Sequence, residues 1–261
     1  MKYMGSKARI AKEILPIILK DRLHNQSYVE PFCGGLGTAD KVDGLVICSD
    51  INKYLIALWK GVQSNTERPK VISKMYYDDV RTDYNTGGNK YSDFIKGWVG
   101  FMGSANGRFF DGGYSGCSNT KIGTVRNYID EAIRNIEKQY NLVNNIFFQH
   151  GRYDEINIPE KSIIYCDIPY NETKQYSFSK DFNYNYFWDW CRKMHSIGHK
   201  IFISEYHAPS DFSCIWEKKV VSSLSANGLS GGSKSSTEKL FTLCSGVNKI
   251  NSSLQQSLFT A

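Results

Sequence analysis

The sequence predicts an α/β protein with a nucleotide-binding unit near its N-terminus. Short apolar runs of strand length alternate with longer segments of helical periodicity. The run 28–30 leads into a glycine-rich loop, and the run 45–49 leads into Asp50. A glycine loop after one strand and an acid after the next is the layout of a nucleotide-binding unit, in which the acid binds ribose hydroxyls.

The N-terminal elements follow from spacing and end signals. A helix is predicted over 6–15, with Ser6 as its N-cap and Ile10 and Ile14 on its apolar face. Pro16 is expected to kink this helix or to start a new turn. A second helix is predicted over 53–63 from apolar residues that share one side: Leu55, Leu58, Trp59 and Val62.

The C-terminal part repeats the alternation. Strands are predicted at 146–148, 162–166 and 200–204. A helix is predicted over 184–197, with one apolar side: Phe187, Trp190, Cys191 and Met194. Two further strands, 215–222 and 239–244, are expected to close the sheet as an antiparallel pair.

The middle of the chain has a different character. A polar run from Ser64 to Pro69 marks a boundary. Helices are predicted at 93–102 and 127–140, and the segment 103–116 between them mixes glycines with aromatic residues, as is typical of a shaped loop. We therefore divide the chain into a first catalytic part (1–62), an inserted, mostly helical domain (63–145) and a second catalytic part (146–261).

The segment Asp167-Ile168-Pro169-Tyr170 is the one best suited to chemistry. The Asp167 carboxylate accepts hydrogen bonds, Pro169 biases Ile168 toward an extended conformation, and Tyr170 offers a flat face to a planar ligand. An acid and a proline after a strand are common in ordinary turns. Together with the glycine loop and Asp50, however, they favour a functional site.

Four segments together resemble the Dam-type DNA adenine-N6 methyltransferases. They are Lys2-Tyr3-Met4-Gly5-Ser6-Lys7, Glu30-Pro31-Phe32-Cys33-Gly34-Gly35-Leu36-Gly37, Ser49-Asp50-Ile51-Asn52 and Asp167-Ile168-Pro169-Tyr170. The middle region matches that family in position and size more than in motif. The family tetrapeptide usually reads Asp-Pro-Pro-Tyr. Ile168 replaces the first proline here but keeps the backbone carbonyl expected to act at that position.

The resemblance implies a Rossmann-like, class I S-adenosylmethionine-dependent methyltransferase fold, with a target-recognition domain inserted between cofactor loop and tetrapeptide. The implied cofactor is S-adenosylmethionine, without a metal. The implied cofactor-binding residues are Tyr3, Lys7, Glu30, Pro31, Phe32, Gly34, Gly35, Gly37, Asp50, Ile51 and Asp167. The implied catalytic residues are Asp167, Ile168, Pro169 and Tyr170. Among them, Tyr3 and Lys7 are expected at the amino-acid end of the cofactor and Asp50 on its ribose.

The implied reaction is site-specific methylation of adenine N6 in double-stranded DNA. The exocyclic amine is a poor nucleophile because its lone pair is delocalised, and the target atom is inaccessible inside a duplex, so the base must flip out. The net charge of +6 is compatible with a polyanionic partner. Arg108, Lys121 and Arg126 are the expected DNA contacts, together with the loop 109–114.

Two alternatives remain open, and a third is disfavoured. The same cofactor could serve a methyltransferase that acts on RNA or on a protein amide. The chain could also be a catalytically weak DNA-binding relative. An NAD-type oxidoreductase is disfavoured, because Gly34-Gly35-Leu36-Gly37 lacks the Gly-x-Gly-x-x-Gly pattern.

Composition favours a cytoplasmic enzyme, in the host cytoplasm if the compact, phage-like length reflects a phage source. Seven cysteines without a Cys-x-x-Cys pair suggest reduced thiols. We expect no membrane span and no obligate protein partner. His195 and His199 lie four apart, but Gly198 interrupts the helix and no third ligand is evident, so a metal site is not expected.

Overall fold

The computed structural model describes residues 1–120, 122–170, 181–221 and 235–243. The strands are β1 (Tyr28–Glu30), β2 (Val46–Asp50), β3 (Cys117–Asn119), β4 (Val125–Asn127), β5 (Ile146–His150), β6 (Ile163–Asp167), β7 (Lys200–Ser204), β8 (Phe212–Val221) and β9 (Ser235–Leu243). The α-helices are α1 (Ala11–Ile18), α2 (Lys53–Gln63), α3 (Lys74–Asn85), α4 (Asp93–Gly103), α5 (Tyr128–Glu137) and α6 (Tyr184–Ser196).

Seven of the strands form one sheet in the order β5-β2-β1-β6-β7-β9-β8. The first five in this order run parallel, and β9 pairs antiparallel with both β7 and β8. From β1 the chain moves outward to β2 and β5, and from β6 it moves outward in the opposite direction. The strand order therefore reverses between β1 and β6, as in a doubly wound sheet. The predicted Rossmann-like fold is confirmed.

The two faces of the sheet are covered by separate apolar clusters. Successive strand residues point to opposite faces. Tyr165 accordingly packs in the cluster that contains helices α1, α2, α4 and α5, whereas its neighbours Ile164 and Cys166 pack against α6 on the other face. The inner strands β1, β2, β6 and β7 are buried on both sides, which explains why they read as continuous apolar runs in the sequence.

The middle segment, 63–145, contributes α4 to the first cluster. Helix α4 packs on α2 at two close contacts. Gly61 faces the ring of Phe94, and Gly97 faces the backbone carbonyl of Tyr54. A buried ion pair between Lys96 and Asp83, with atoms 3.0 Å apart, ties α4 to α3.

Three local predictions differ from the structure. Helix α1 starts at Ala11 and continues through Pro16, because its buried face outweighs the one lost backbone hydrogen bond. Ser6 instead caps a short 3-10 turn, Lys7–Arg9, by accepting the Ala8 N–H. Helix α3 and the β3–β4 hairpin were not predicted. Among the described helices, none is long and apolar enough to cross a bilayer.

Replacing Gly97 with alanine should destabilise the protein by about 1–3 kcal/mol, the usual cost of overpacking a core. The added Cβ would lie 2.2 Å from the Tyr54 carbonyl oxygen, and this backbone atom is held by α2. Urea denaturation of the variant measures the cost. Lys60→Ala, at an exposed position of α2, is the control and should change stability by less than about 0.5 kcal/mol. Wild-type stability in Gly97→Ala would mean that α4 shifts freely on α2.

Candidate active site

The predicted site segments meet at one edge of the sheet. Strand β1 pairs with β2 on one side and with β6 on the other, so their carboxyl ends are adjacent. The glycine loop follows Glu30 at the end of β1, while Asp50 and Asp167 are the last residues of β2 and β6. This edge, at the reversal of strand order, is where open α/β sheets bind ligands.

The glycines of the loop make room for the N-terminal segment. A Cβ on Gly34 or Gly35 would come within 2.8 or 2.5 Å of the Tyr3 side chain, and a Cβ on Gly37 would meet Ser6 Oγ at 2.7 Å. Gly34 also has a positive φ of 45°, which favours glycine. The sequence suggested that these glycines let the backbone approach a ligand. In the structure the neighbours they admit belong to residues 3–8.

Lys7 joins the loop to the tetrapeptide. Its backbone packs against Gly37, and its Nζ lies 2.8 Å from Asp167 Oδ1 and 3.7 Å from Glu238 Oε2. The side-chain exposures of Lys7, Asp167 and Glu238 are 7%, 24% and 15%. The predicted cofactor residue Lys7 and the predicted catalytic residue Asp167 are thus in direct contact.

Charge and burial compete in this cluster. Burial alone would lower the pKa of Lys7, but the adjacent Asp167 and Glu238 carboxylates outweigh it, and the pKa is raised. Burial also raises the pKa of Asp167, and the ammonium of Lys7 partly offsets that rise. Lys7 therefore helps to keep Asp167 ionised, which is the form that accepts hydrogen bonds from a donor.

Tyr170 is held on several sides. Its hydroxyl donates to Glu238 Oε2 at 2.6 Å, and its ring lies 4.5 Å from the Tyr206 ring in an edge-to-face arrangement. Lys7 Nζ lies 4.5 Å from the centre of the Tyr170 ring. Glu238 was missed by the sequence analysis, which began the last strand at residue 239. The remaining predicted catalytic residues follow directly on β6: Ile168 is buried, and the carbonyl of Pro169 accepts the Tyr184 hydroxyl at 2.7 Å.

Asp50 is fixed by backbone donors. Its carboxylate accepts the Gly34 N–H at 3.2 Å and the Asn52 N–H at 2.9 Å. Burial raises the pKa of Asp50 to about 6, and these bonds oppose the rise, so the group is mostly ionised at neutral pH. The next residue, Ile51, exposes about half of its side chain. An anchored acid thus lies beside an exposed apolar side chain at the end of β2.

Glu30 lies beneath the loop, not on its surface. It is 3% exposed, and its Oε1 accepts the hydroxyls of Tyr28 at 2.7 Å and Thr38 at 2.5 Å. Burial raises the pKa of Glu30 to about 8. Pro31, which follows, is also buried. The Phe32 ring packs 5.3 Å from Tyr153 and 5.9 Å from Phe187, so one side of the site has an aromatic floor.

The residues predicted to contact DNA differ in their exposure and in their hydrogen-bond partners. Arg126 lies exposed on β4 and forms two hydrogen bonds, of 2.6 and 2.8 Å, with the Glu131 carboxylate. Arg108 is half-buried, and its Nε has no hydrogen-bond acceptor among the described residues. Lys121 lies outside the described residues. The expectation for the loop 109–114 was wrong in part: Phe109 and Phe110 are 8% and 2% exposed, because both rings belong to the apolar core.

No group of three or more histidine, cysteine or acidic side chains suited to a metal occurs within the described ranges. His199, one of the two histidines considered above, instead accepts the backbone N–H of Ser162 through Nδ1 at 3.1 Å. Its role there is structural.

The doubly wound sheet and the acidic residues at two of its strand ends define an α/β protein with a ligand-binding edge. Residues 3–106 match the family described as D12 class N6 adenine-specific DNA methyltransferase. The chain is similar to that family over these residues, and the match confirms the predicted resemblance to Dam-type enzymes.

No curated protein matches the chain. Among solved structures, one similar fold is the crystal structure of SMU.472, a provisionally assigned methyltransferase, complexed with SAH. The alignment has a TM-score of 0.40 and 12% identity, and it covers 95% of this chain and 55% of that chain. The present chain thus spans about half the length of that protein.

Glu30 should make folding stability depend on pH. Its folded pKa of about 8 lies above its ordinary value of 4.5, so the folded state binds the proton more tightly than the unfolded chain. The contribution of Glu30 to the free energy of unfolding is complete below pH 4.5 and is lost as the pH rises through about 8. Glu30→Gln should remove this loss, which we expect to be on the order of a few kcal/mol.

Urea denaturation of both proteins at pH 5, 6.5 and 8 measures the difference, with the exposed Glu160→Gln as control. Parallel pH profiles for wild type and Glu30→Gln would contradict the assignment.

Proposed function

We propose that this protein transfers a methyl group from S-adenosylmethionine to N6 of a flipped-out adenine at a specific site in double-stranded DNA. The observation that carries the proposal is the contact of Lys7 with Asp167. Through it the N-terminal segment, the glycine loop and the catalytic tetrapeptide form one site. The family match over residues 3–106 supports the same reaction.

The residues around the glycine loop fit the proposed cofactor. Asp50 is an anchored acceptor suited to ribose hydroxyls, and the exposed Ile51 side chain beside it suits the face of an adenine ring. Tyr3, Lys7 and the segment 31–37 are assigned to the remainder of the cofactor. Glu30 is assigned a supporting role beneath the loop. When bound, S-adenosylmethionine supplies an activated methyl group on a sulfonium.

The tetrapeptide supplies the groups that an aromatic amine needs to become a nucleophile. Asp167 and the carbonyl of Ile168 accept the two amino hydrogens, which favours a pyramidal nitrogen with an available lone pair. Lys7 engages Oδ1 of Asp167, and a carboxylate has further acceptor positions for the amine. The Tyr170 ring stacks on the base. Alignment of the amine in a site shielded from water provides most of the rate gain.

The face for DNA is proposed on the inserted domain, 63–145, next to the N-terminal segment. Two cations lie near the Tyr128 ring, with Lys2 Nζ 5.8 Å and the Arg126 guanidinium carbon 4.9 Å from its centre. Gly107, which precedes Arg108, packs on the backbone carbonyl of Lys2. Three basic residues are therefore linked through one small region. The half-buried guanidinium of Arg108 is the further cation that we assign to a phosphate or base acceptor.

Replacing Asp167 with alanine should abolish methyl transfer in a folded protein, because the amine loses its principal acceptor. Asp167→Asn keeps an acceptor but loses the charge and should retain at most a small residue of activity. The measurement is transfer of label from S-adenosylmethionine to duplex DNA, with N6-methyladenine identified after digestion to nucleosides. Glu160→Ala removes an exposed carboxyl before the amino end of β6 and should leave the rate unchanged.

A folded Asp167→Ala protein with wild-type turnover would contradict the catalytic assignment. Transfer by the wild type to RNA or to a protein amide, but not to DNA, would instead favour the first alternative. DNA binding without any transfer would favour the catalytically weak relative.

Arg108 and Arg126 should affect DNA binding in different ways. Loss of a base contact in Arg108→Ala should cost about 1–3 kcal/mol at the cognate site and relax specificity at one position. Loss of a phosphate contact in Arg126→Ala should weaken binding to all DNA sequences alike and make the salt dependence of the binding affinity shallower. Affinity against salt concentration and mapping of methylated sites distinguish these outcomes. Lys20→Ala, an exposed site after α1, is the control. Unchanged affinity, salt slope and site preference in both variants would move recognition elsewhere.

A further inference from the structure

Glu238 reaches the site from an element that carries no recognised motif. It lies on β9, two residues before Leu240, so both side chains are on the same face of the sheet. Leu240 is fully buried in the cluster that contains α1. Since Leu240 pairs with Ser204, the last residue of β7, Glu238 lies beyond the end of β7, beside the segment that carries Tyr206.

The Glu238 carboxylate contacts the tetrapeptide through the Tyr170 hydroxyl. The phenol donates to Oε2 at 2.6 Å, a short bond to an acceptor that is 15% exposed. Hydrogen bonds of this charge-assisted kind are stronger than neutral ones. Lys7 Nζ, 3.7 Å from the same oxygen, supplies the charge that makes a carboxylate tolerable at this depth.

We propose that Glu238 is a positioning residue for methyl transfer, which it serves by fixing the orientation of the Tyr170 ring. This inference rests on the function proposed above. A tyrosine ring turns about two side-chain bonds, and both the edge contact with Tyr206 and the nearby ammonium of Lys7 act on the ring itself. The bond from the hydroxyl to β9 restrains the far end of the ring. The orientation of a base stacked on Tyr170 then depends on β9, through Glu238, as well as on β6.

Glu238 does not contact the reacting atoms in this scheme. Its effect should therefore appear in kcat and not in cofactor affinity. Two conservative variants separate the effect of side-chain length from the effect of charge. Glu238→Gln keeps the length of the side chain and an oxygen that accepts the phenol, but loses the charge. Glu238→Asp keeps the charge near Lys7 but is one methylene shorter and withdraws from the Tyr170 hydroxyl.

The experiment measures kcat for duplex DNA, the Kd of S-adenosylmethionine by calorimetry and the thermal midpoint of each variant. Glu238→Asp and Tyr170→Phe should each lower kcat about tenfold, since each removes a hydrogen bond to a charged group. The double variant should be no slower than the slower single variant, because both changes break the same bond. Glu238→Gln should stay within about threefold of wild type. Glu217→Asp, on the neighbouring strand β8, should match wild type.

Three results would overturn the inference. They are an aspartate variant faster than the glutamine variant, a double variant about a hundredfold slower than wild type, or losses that appear in the cofactor Kd with kcat unchanged. Failure of the proposed function is distinguishable, since wild-type protein would then form no N6-methyladenine at all. Wild-type activity combined with a fully active Glu238→Asp variant would overturn only the role of Glu238.

Discussion

The site is built on the neutralisation of one buried cation. A lysine ammonium that is almost completely buried is costly unless acidic partners and hydrogen-bond acceptors surround it. Lys7 finds Asp167 at the end of β6, Glu238 on β9 and the carbonyl of Gly5 in its own segment. These contacts join three parts of the chain that are far apart in sequence. Removing Asp167 would leave the buried ammonium with only the more distant carboxylate of Glu238.

The burial of Lys7 also explains the glycine loop. For the ammonium to reach Asp167, the segment 3–8 must pass directly over the end of β1. Side chains on Gly34, Gly35 or Gly37 would block that path. Glu30 under the loop is engaged by the Tyr28 and Thr38 hydroxyls, and its raised pKa reduces competition with Asp167 and Glu238 for the Lys7 ammonium. Loop and N-terminal segment are therefore one structural unit, and the site depends on both.

Much of this could be predicted from the sequence, and the exceptions have physical reasons. Strands with buried faces on both sides read as apolar runs, and helices such as α2 and α6 have clear apolar stripes, so both were found. Helix α3 is rich in tyrosine and aspartate and buries only Tyr77, Val80 and Asp83, which leaves a weak periodic signal. The residues of β3 are exposed, so that strand has no alternation to detect.

The site shows the same limits. Asp50, Asp167 and the glycines stand beside strands and could be placed by order along the chain. Glu238 could not be placed, because its role depends on β9 lying next to β7, a tertiary pairing that local patterns do not contain. Phe109 and Phe110 were assigned to a DNA-contacting loop on composition, yet tertiary packing buries both rings. Short aromatic runs carry no information on which side of a loop the core lies.

The distribution of charge restricts what can enter the site. Asp167 and Glu238 outnumber Lys7, so this cluster is on balance anionic, whereas Lys2 and Arg126 lie near Tyr128 on the proposed DNA face. Phosphates are attracted to the basic surface and repelled from the pocket. Under the proposed function, only an uncharged base can move from one region into the other, which requires its rotation out of the duplex. Asp167 then lies where positive charge develops as the amine is methylated, so the repulsion that excludes the DNA backbone and the stabilisation of the reacting amine have the same electrostatic origin.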